Sequence, residues 1–98
     1  MKRTVTLSPD ARRQLQRLRA DQRATLREAL ETQLGKDDAT VPTKNRFRLR
    51  RPSPYADYEL RVGPLRVFYR VEEKMVRVVL IGKKRGDVLL IDGKRLTL

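Results

Sequence analysis

Apolar and polar residues alternate along much of the stretch YELRVGPLRVFYRVEEKMVRVVLIGKK, which covers positions 58–84. This period of two predicts half-buried β-strands, in which one side chain enters the core and the next faces outward. The pair Gly63–Pro64 suits a two-residue hairpin turn, and Glu73–Lys74 forms a second short turn. The stretch therefore predicts an antiparallel meander of three strands. Its third strand, residues 75–81, is the most apolar, so we place it at the centre of the sheet.

The segments on either side of the meander predict an α+β domain. Residues 3–7 alternate like a strand, and Ser8 followed by Pro9 is a typical helix start. Leucines at helical spacing predict two successive helices, the second ending at Gly35, and Asp92–Gly93 predicts a later hairpin. We expect the polar connection 36–46 to be the most mobile segment. The chain thus predicts a single domain over 1–98: an N-terminal strand, an α-hairpin and an antiparallel meander, with the helices on one sheet face and the other face exposed.

The charge of the chain points to negatively charged partners. Its 98 residues include 24 Lys and Arg against 12 Asp and Glu, a formal charge of +12. This excess favours encounter with nucleic acid, a ribosome surface or an acidic protein, and we predict no membrane partner. No apolar run is long enough to span a bilayer and no secretory signal is recognisable, so we expect a cytoplasmic protein.

The absence of two residue types restricts the chemistry. The chain contains neither Cys nor His. Nucleophiles that depend on histidine, most zinc sites and acid–base catalysis by imidazole are therefore excluded. We predict no metal and no cofactor, and any catalysis must use Arg, Lys, Tyr and carboxylates.

The arginines of the meander lie opposite its apolar positions. Arg61 and Arg66 are expected to be neighbours across the Gly63–Pro64 turn, and Arg70 follows on the same face. Adjacent guanidinium groups repel each other unless an anion or an acidic side chain neutralises them. One interpretation is an anion-binding site, supported by the basic cluster Lys83, Lys84 and Arg85 after the central strand. The alternative is a surface ladder of ion pairs with Glu59 and Glu72.

Cleavage of RNA through its own 2′-hydroxyl needs a base, positive charge on the phosphate and an acid for the leaving oxygen. Two phenols lie near the predicted sheet. Tyr58 shares the phase of Leu60, which predicts packing in the core, whereas Tyr55 lies in a proline-flanked loop. The candidate nucleic-acid-binding residues are Lys83, Arg85, Arg70, Arg50, Arg51 and Tyr55.

Three segments carry a resemblance to a known family. The helix start SPDARRQLQRL, the sheet segment ELRVGPLRVFYRV and the strand end VVLIGKKRG resemble the RelE/ParE superfamily of bacterial toxins from type II toxin–antitoxin systems, over roughly residues 3–87. The resemblance implies a small basic toxin that is neutralised by an antitoxin with an acidic tail. It also implies one of two targets, because RelE-like members cut mRNA on the ribosome and ParE-like members inhibit DNA gyrase.

The resemblance also assigns candidate residues. The family arginine that holds the scissile phosphate falls on Arg66, the basic residue after the strand-ending glycine falls on Lys84, and Arg61 matches a further basic position. The family lysines used in proton transfer fall near Asp57 and Glu59, and the late tyrosine falls near Leu90.

We therefore predict an mRNA interferase, an endoribonuclease that acts on the ribosome. Its candidate catalytic residues are Arg66, Lys84, Arg61 and Glu59, with Glu59 or Tyr55 as the base. The alternatives are a ParE-like gyrase inhibitor and a non-catalytic basic module that binds nucleic acid or the ribosome. In the toxin interpretations the predicted partner is an acidic antitoxin.

Overall fold

The computed structural model describes residues 2–51 and 53–95, and it confirms the predicted α+β class. Two helices pack on one face of a mostly antiparallel sheet. In chain order the elements are β1 (Thr4–Leu7), α1 (Pro9–Gln16), α2 (Ala20–Ala29) with a π-helical continuation (Leu30–Lys36), β2 (Arg46–Arg48), β3 (Tyr58–Val62), β4 (Leu65–Val71), β5 (Met75–Arg85), β6 (Val88–Ile91) and β7 (Lys94–Arg95). Within the described ranges, no helix has the length and apolar character that crossing a bilayer requires.

The sheet is organised around β5, as predicted. Strands β2 to β7 lie in chain order and pair antiparallel, and β1 is parallel to β5. One edge of β5 is covered by β4 along its length. The other edge is shared, since β1 pairs with Met75–Val78 and β6 pairs with the segment that ends at Arg85. The prediction that this strand ends at residue 81 is wrong, because it continues to Arg85 and there pairs with β6.

Helix α1 is attached to the gap between β1 and β6 by two side chains. The Ser8 hydroxyl donates to the carbonyl of Val79 at 2.7 Å and accepts from the amide of Ala11 at 3.0 Å, so it caps the helix as predicted. The buried Gln14 accepts from the amide of Ile81 at 2.7 Å. These contacts satisfy backbone groups of β5 that no neighbouring strand reaches.

The second helix does not end at Gly35. Its π-helical continuation runs to Lys36, and the Arg3 amide donates to the Gly35 carbonyl at 2.9 Å. A Cβ on Gly35 would lie 3.5 Å from a methyl group of Val5, which is an ordinary van der Waals distance.

The core has two parts, and the second was not predicted. The larger cluster lies between the helices and the sheet and includes Leu15, Leu26, Val67, Tyr69 and Val76. The smaller cluster lies on the opposite face and comprises Ala56, Phe68, Leu80 and Ile91, with Leu49, Val79 and Leu89 packed against it. The expectation that this face is fully exposed is therefore wrong. Leu49 and Ala56 pack over this face and give an apolar cover to Phe68, which lies on the same side of β4 as its arginines.

The polar connection before β2 is tied to the domain. The Arg46 side chain is only 4 % exposed and donates to the carbonyl of Val41 at 2.9 Å. The Tyr69 hydroxyl donates to the carbonyl of Ala39 at 2.8 Å, and a salt bridge of 2.8 Å joins Arg3 to Asp38. Burial raises the pKa of Tyr69, which keeps this hydroxyl protonated as a donor.

Candidate functional site

Three predicted basic residues share the sheet face that lies away from the helices. The β3–β4 register places Arg61 opposite Arg66, and the β4–β5 register places Arg66 opposite Gly82. Lys84 is two residues further along β5, and its amide donates to the carbonyl of Pro64 at 2.8 Å. We call Arg61, Arg66 and Lys84 the arginine face. Its geometry depends on the short turn, where Gly63 adopts φ +56° and brings the two arginines directly across from each other.

Arg66 is the most constrained cation of this face. Its Nη1 donates to the carbonyls of Gly63 at 2.6 Å and Leu65 at 3.0 Å. Its side chain is only 14 % exposed, and its Nε has no hydrogen-bond partner among the described residues. Burial and the charge of Arg61 lower the pKa of Arg66, and the charge of Glu59 raises it. An arginine stays protonated under such shifts, so the site holds a fixed positive charge.

Glu59 lies between the two arginines. Its Oε2 is 2.8 Å from the Nε of Arg61 and 3.8 Å from the Nε of Arg66, and its side chain is 12 % exposed. The ion-pair alternative is therefore realised at Glu59, which compensates part of the charge of both guanidinium groups. Glu72 does not take part, because its carboxylate pairs with Arg77 at 3.3 Å. A carboxylate held in this way is a counterion, and it is poorly placed to accept a proton from a substrate.

Gly82 allows apolar side chains to lie beside Arg66. A Cβ on Gly82 would collide with Cδ1 of Ile91 and would come within 2.7 Å of the carbonyl oxygen of Leu90. Only a residue without a side chain lets β6 approach β5 this closely. The arginine face is therefore bordered by the smaller core cluster.

Arg70, Arg50, Arg51 and Tyr55 lie at a separate place, around the loop before β3. Arg70 is exposed and donates to the carbonyl of Pro54 at 2.6 Å, which holds this loop against β4. Arg50 and Arg51 line a cavity of about 220 Å³ with Arg48, and Tyr55 is 39 % exposed. These residues form a second basic surface, and the described contacts do not join them to Arg66.

Tyr58 is a packing residue, as its phase predicted. Its ring stacks on that of Tyr69 with centroids 5.3 Å apart and planes 13° apart. The guanidinium of Arg48 on β2 lies 5.4 Å from the centroid of the Tyr58 ring on β3. The ring is therefore part of the packing of the sheet, and its hydroxyl accepts a hydrogen bond from Arg48 at 3.3 Å.

The predicted basic cluster Lys83, Lys84 and Arg85 is divided by the alternation of β5. Lys84 belongs to the arginine face, whereas Lys83 and Arg85 point to the helix side. There they line a groove of about 440 Å³ between α1 and β6. This α1–β6 groove is formed by Gln14, Arg17, Leu18, Ile81, Lys83, Arg85, Leu90 and Asp92, with the backbone of Gly82 and Gly93.

One contributor to the arginine face was missed in the sequence. Phe47 lies opposite Glu59 in the β2–β3 register, and the Arg61 guanidinium is 4.8 Å from its ring centroid. This cation–π contact orients Arg61 over the sheet. The alternation in the short segment RFRLR was the available signal, but a strand of only three residues gives a weak period.

The comparison with known families decides the identity. The model of the ParE toxin of type II toxin–antitoxin systems matches residues 5–88. The chain belongs to the ParE toxin family. This confirms the RelE/ParE resemblance, and the family accounts for the domain from β1 to the start of β6.

The fold of this ParE-family chain is also seen in a solved structure. The crystal structure of the toxin–antitoxin complex RelBE2 from Mycobacterium tuberculosis contains a chain that superposes with a TM-score of 0.70 at 23 % sequence identity. The superposition covers 86 % of this chain and 100 % of the other. At this identity the likeness shows a shared fold. No curated protein sequence matches the chain.

Proposed function

We propose that this ParE-family toxin inhibits DNA gyrase by binding to it through the arginine face, without cutting RNA. The observation that carries the proposal is the engagement of Glu59 by Arg61 and Arg66. RNA cleavage needs a group that is free to take a proton from the 2′-hydroxyl. The arginine face supplies cations in a fixed arrangement, and the carboxylate among them, Glu59, is already ion-paired with Arg61 and Arg66.

The two phenols do not replace Glu59 as a base. Tyr58 is stacked on Tyr69 and accepts a hydrogen bond from Arg48 at 3.3 Å. Tyr55 lies in the loop that Arg70 holds, on the second basic surface. A toxin built from these parts is suited to bind a negatively charged surface, and its family membership makes gyrase the preferred target.

An mRNA interferase is the second candidate, and one observation favours it. Arg61, Arg66 and Lys84 share a face, which is the arrangement that holds a phosphodiester and stabilises charge on it. In this mechanism Arg66 binds the scissile phosphate and Lys84 assists, while Glu59 must leave its ion pairs before it can act as the base. A non-catalytic nucleic-acid or ribosome-binding module needs only the net charge of +12.

We also propose that the partner is an acidic antitoxin protein. The 24 basic residues outnumber the 12 acidic ones and leave a net charge of +12, so a partner with an acidic segment gains favourable electrostatic energy over much of the surface. Such a partner also explains how a cell tolerates the toxin.

Two assays with the purified protein separate these functions. The first measures DNA supercoiling by gyrase, and the second measures mRNA cleavage in a reconstituted translation reaction. We expect inhibition of supercoiling and no cleavage. Cleavage that Arg66→Ala abolishes, without inhibition of gyrase, would overturn the proposal in favour of the interferase.

The Arg66→Ala variant needs a matched control. Arg77→Ala removes the same charge from an exposed position of β5. We expect Arg66→Ala to lose most of the inhibition and Arg77→Ala to keep it. Arg66→Lys keeps the charge and loses the fork of donors, so it distinguishes a loss of charge from a loss of donor geometry. Circular dichroism of each variant checks the fold.

A further inference from the structure

The second basic surface, formed by Arg50, Arg51, Arg70 and Tyr55, carries positive charge that no internal acid neutralises. Within residues 2–51 and 53–95, neither its arginines nor the neighbouring Arg48 form an ion pair. The hydrogen bond of Arg70 goes to a backbone carbonyl, which carries no full charge. Guanidinium groups that are gathered without a counterion attract an anion.

A small cavity at this surface has room for a single group such as a phosphate. Its volume of about 220 Å³ lies below the range of about 300–1,000 Å³ for sites that enclose a whole small molecule. It is lined by the three arginines Arg48, Arg50 and Arg51 and by one acid, Asp57. Asp57 forms no ion pair in the part of the chain that the structure describes, so the guanidinium donors stay free for an anion.

The Ser53 hydroxyl adds a neutral donor to the cavity. It lines the cavity and accepts from the Tyr55 amide at 3.1 Å, so its own proton can be donated to a phosphate oxygen. The same hydrogen bond fixes the turn that presents Tyr55, which is 39 % exposed. An exposed aromatic ring beside arginines is a place where an unpaired base can stack, because every base has a π-face.

We propose that the second basic surface binds a single strand of nucleic acid, with a phosphate in the cavity and a base stacked on Tyr55. A duplex or an acidic peptide satisfies the arginines but leaves the ring without a stacking partner. A single strand uses both features. The inference goes beyond the proposed function, in which the arginine face alone binds gyrase.

One strand can contact both basic surfaces. Leu49 and Ala56 line the cavity and also pack on Phe68, so the cavity lies beside the sheet face that carries Arg66. Arg66 and Arg70 are four residues apart on the same side of β4, which is about 13 Å at about 3.3 Å per residue. A strand of about twelve nucleotides spans roughly 40 Å even at the 3.4 Å spacing of a stacked strand, so it reaches both places.

The test measures fluorescence anisotropy of a labelled oligothymidine of about twelve nucleotides. The control ligand is an abasic strand of the same length, which has the same phosphates and no bases. We expect oligothymidine to bind the wild-type protein at least about fivefold more tightly than the abasic strand, because only oligothymidine can stack. Equal binding of the two strands would overturn the proposal.

A matched pair of double variants tests the place of binding. Arg50→Ala/Arg51→Ala removes two proposed phosphate contacts, and Arg12→Ala/Arg27→Ala removes the same charge from exposed positions of α1 and α2. We expect the first variant to weaken oligothymidine binding at least about tenfold. It should also reduce the slope of log K against log salt by about 1.4, at about 0.7 per phosphate of a single strand. We expect the second variant to change binding less than about threefold, and equal weakening by both would mean non-specific attraction and overturn the proposal.

Tyr55 is tested by a change that leaves the charge intact. We expect Tyr55→Ala to weaken oligothymidine binding at least about fivefold and to leave the abasic strand unaffected, whereas Tyr55→Phe keeps both affinities. Equal effects of Tyr55→Ala on the two strands would refute stacking. Arg50, Arg51 and Tyr55 are exposed, so the urea midpoints of these variants should stay at the wild-type value.

Two further ligands identify other occupants. A duplex of the same sequence, or an acidic peptide of the same charge, overturns the proposal if it binds as tightly as oligothymidine and loses affinity with Arg50→Ala/Arg51→Ala. Oligouridine of the same length distinguishes RNA from DNA as the source of the strand, and tight binding of either supports the proposal. None of these measurements involves gyrase, so their failure leaves the proposed target standing, and a failure to inhibit gyrase leaves this site standing.

Discussion

Replacing Glu59 with glutamine is expected to strengthen the binding of polyanions to the arginine face. The Glu59 carboxylate lies 2.8 Å from Arg61 and 3.8 Å from Arg66, so a polyanion must displace it to use both guanidinium groups. Partly exposed ion pairs contribute about 0.5–1 kcal/mol each, and the two pairs together give about 1–2 kcal/mol. Glu59→Gln removes this competition, so the Kd for a polyanion should fall about 5- to 30-fold.

The same change is expected to destabilise the fold. Without the carboxylate, the facing guanidinium groups of Arg61 and Arg66 repel each other across the β3–β4 ladder. A loss of about 1 kcal/mol lowers Tm by about 4–8 °C in a domain of this size. Tighter binding together with lower stability is the signature of an internal counterion. A purely structural glutamate would lose stability without a gain in affinity.

The assay is fluorescence anisotropy of a short single-stranded oligoribonucleotide, titrated between about 50 and 200 mM salt. Glu72→Gln is the matched control, because it removes the same charge from an exposed pair with Arg77 at 3.3 Å. We expect Glu59→Gln to exceed this control in affinity at every salt concentration. Equal gains in affinity in the two variants would mean that the effect comes from the change in net charge alone. An unchanged or higher Kd for Glu59→Gln would refute the reasoning.

Three further predictions concern the scaffold. Gly82→Ala places a Cβ against Ile91 and within 2.7 Å of the Leu90 carbonyl oxygen. Urea unfolding should therefore show a free energy of unfolding that is lower by about 1–3 kcal/mol. An unchanged midpoint of unfolding would contradict the close approach of β6 to β5. Ser8→Ala removes the helix cap and the bond to Val79, and a drop of about 1–2 kcal/mol in unfolding free energy is expected, with Thr4→Ala at an exposed site as the control. Asp38 has its pKa lowered from 3.8, first by the hydrogen bond from Arg3 and then by Thr40, so it stabilises the fold above its ordinary pKa and this contribution is lost as the pH falls below about 4. Asp38→Asn should therefore flatten the fall in stability between about pH 5 and pH 2, and an unchanged slope in a pH series of unfolding curves would count against the Arg3–Asp38 pair.

The elements that could be predicted from the sequence are those fixed by local chemistry. Ser8 and Pro9 start α1, and the Gly63–Pro64 turn fixes the register that places Arg61 opposite Arg66. These outcomes depend on neighbours in the chain, so a sequence pattern is enough to predict them. The central position of β5 followed from its apolar character alone.

The second core cluster depends on a change of register that the sequence does not display. A β-bulge lies where Phe68 pairs with Leu80 and Tyr69 pairs with Val78, which leaves Val79 without an opposite residue. The bulge lets Val78 and Ile81 both face the helices while Leu80 faces the other way. The run VRVVLIG has no period of two, so alternation could not assign these faces.

The division of the basic cluster depends on where β5 ends. Gly82 looked like the end of a strand, and in that case the following basic residues would lie together in a turn. The structure instead uses Gly82 within the strand, because β6 needs the space. Once β5 continues to Arg85, alternation alone separates Lys83 from Lys84. The role of Glu59 could not be predicted, since both an ion pair and a bound anion satisfy the same pattern of charges.

The distribution of acidic side chains explains why the folded domain keeps a positively charged surface to which a partner can bind. Internal ion pairs use Asp38, Asp92, Glu59 and Glu72 to hold β1, α1, β3 and β5 in place. These acids stabilise local geometry, and positive charge of the +12 chain remains on the arginine face, on the second basic surface and at Lys83 and Arg85 in the α1–β6 groove. Self-repulsion of this excess opposes compaction, and a bound polyanion removes it. A partner present at about 100 times its Kd adds about 2.7 kcal/mol to the free energy of unfolding, a large share of the stability of so small a domain. The proposed antitoxin partner is therefore also expected to be a ligand that keeps the toxin folded.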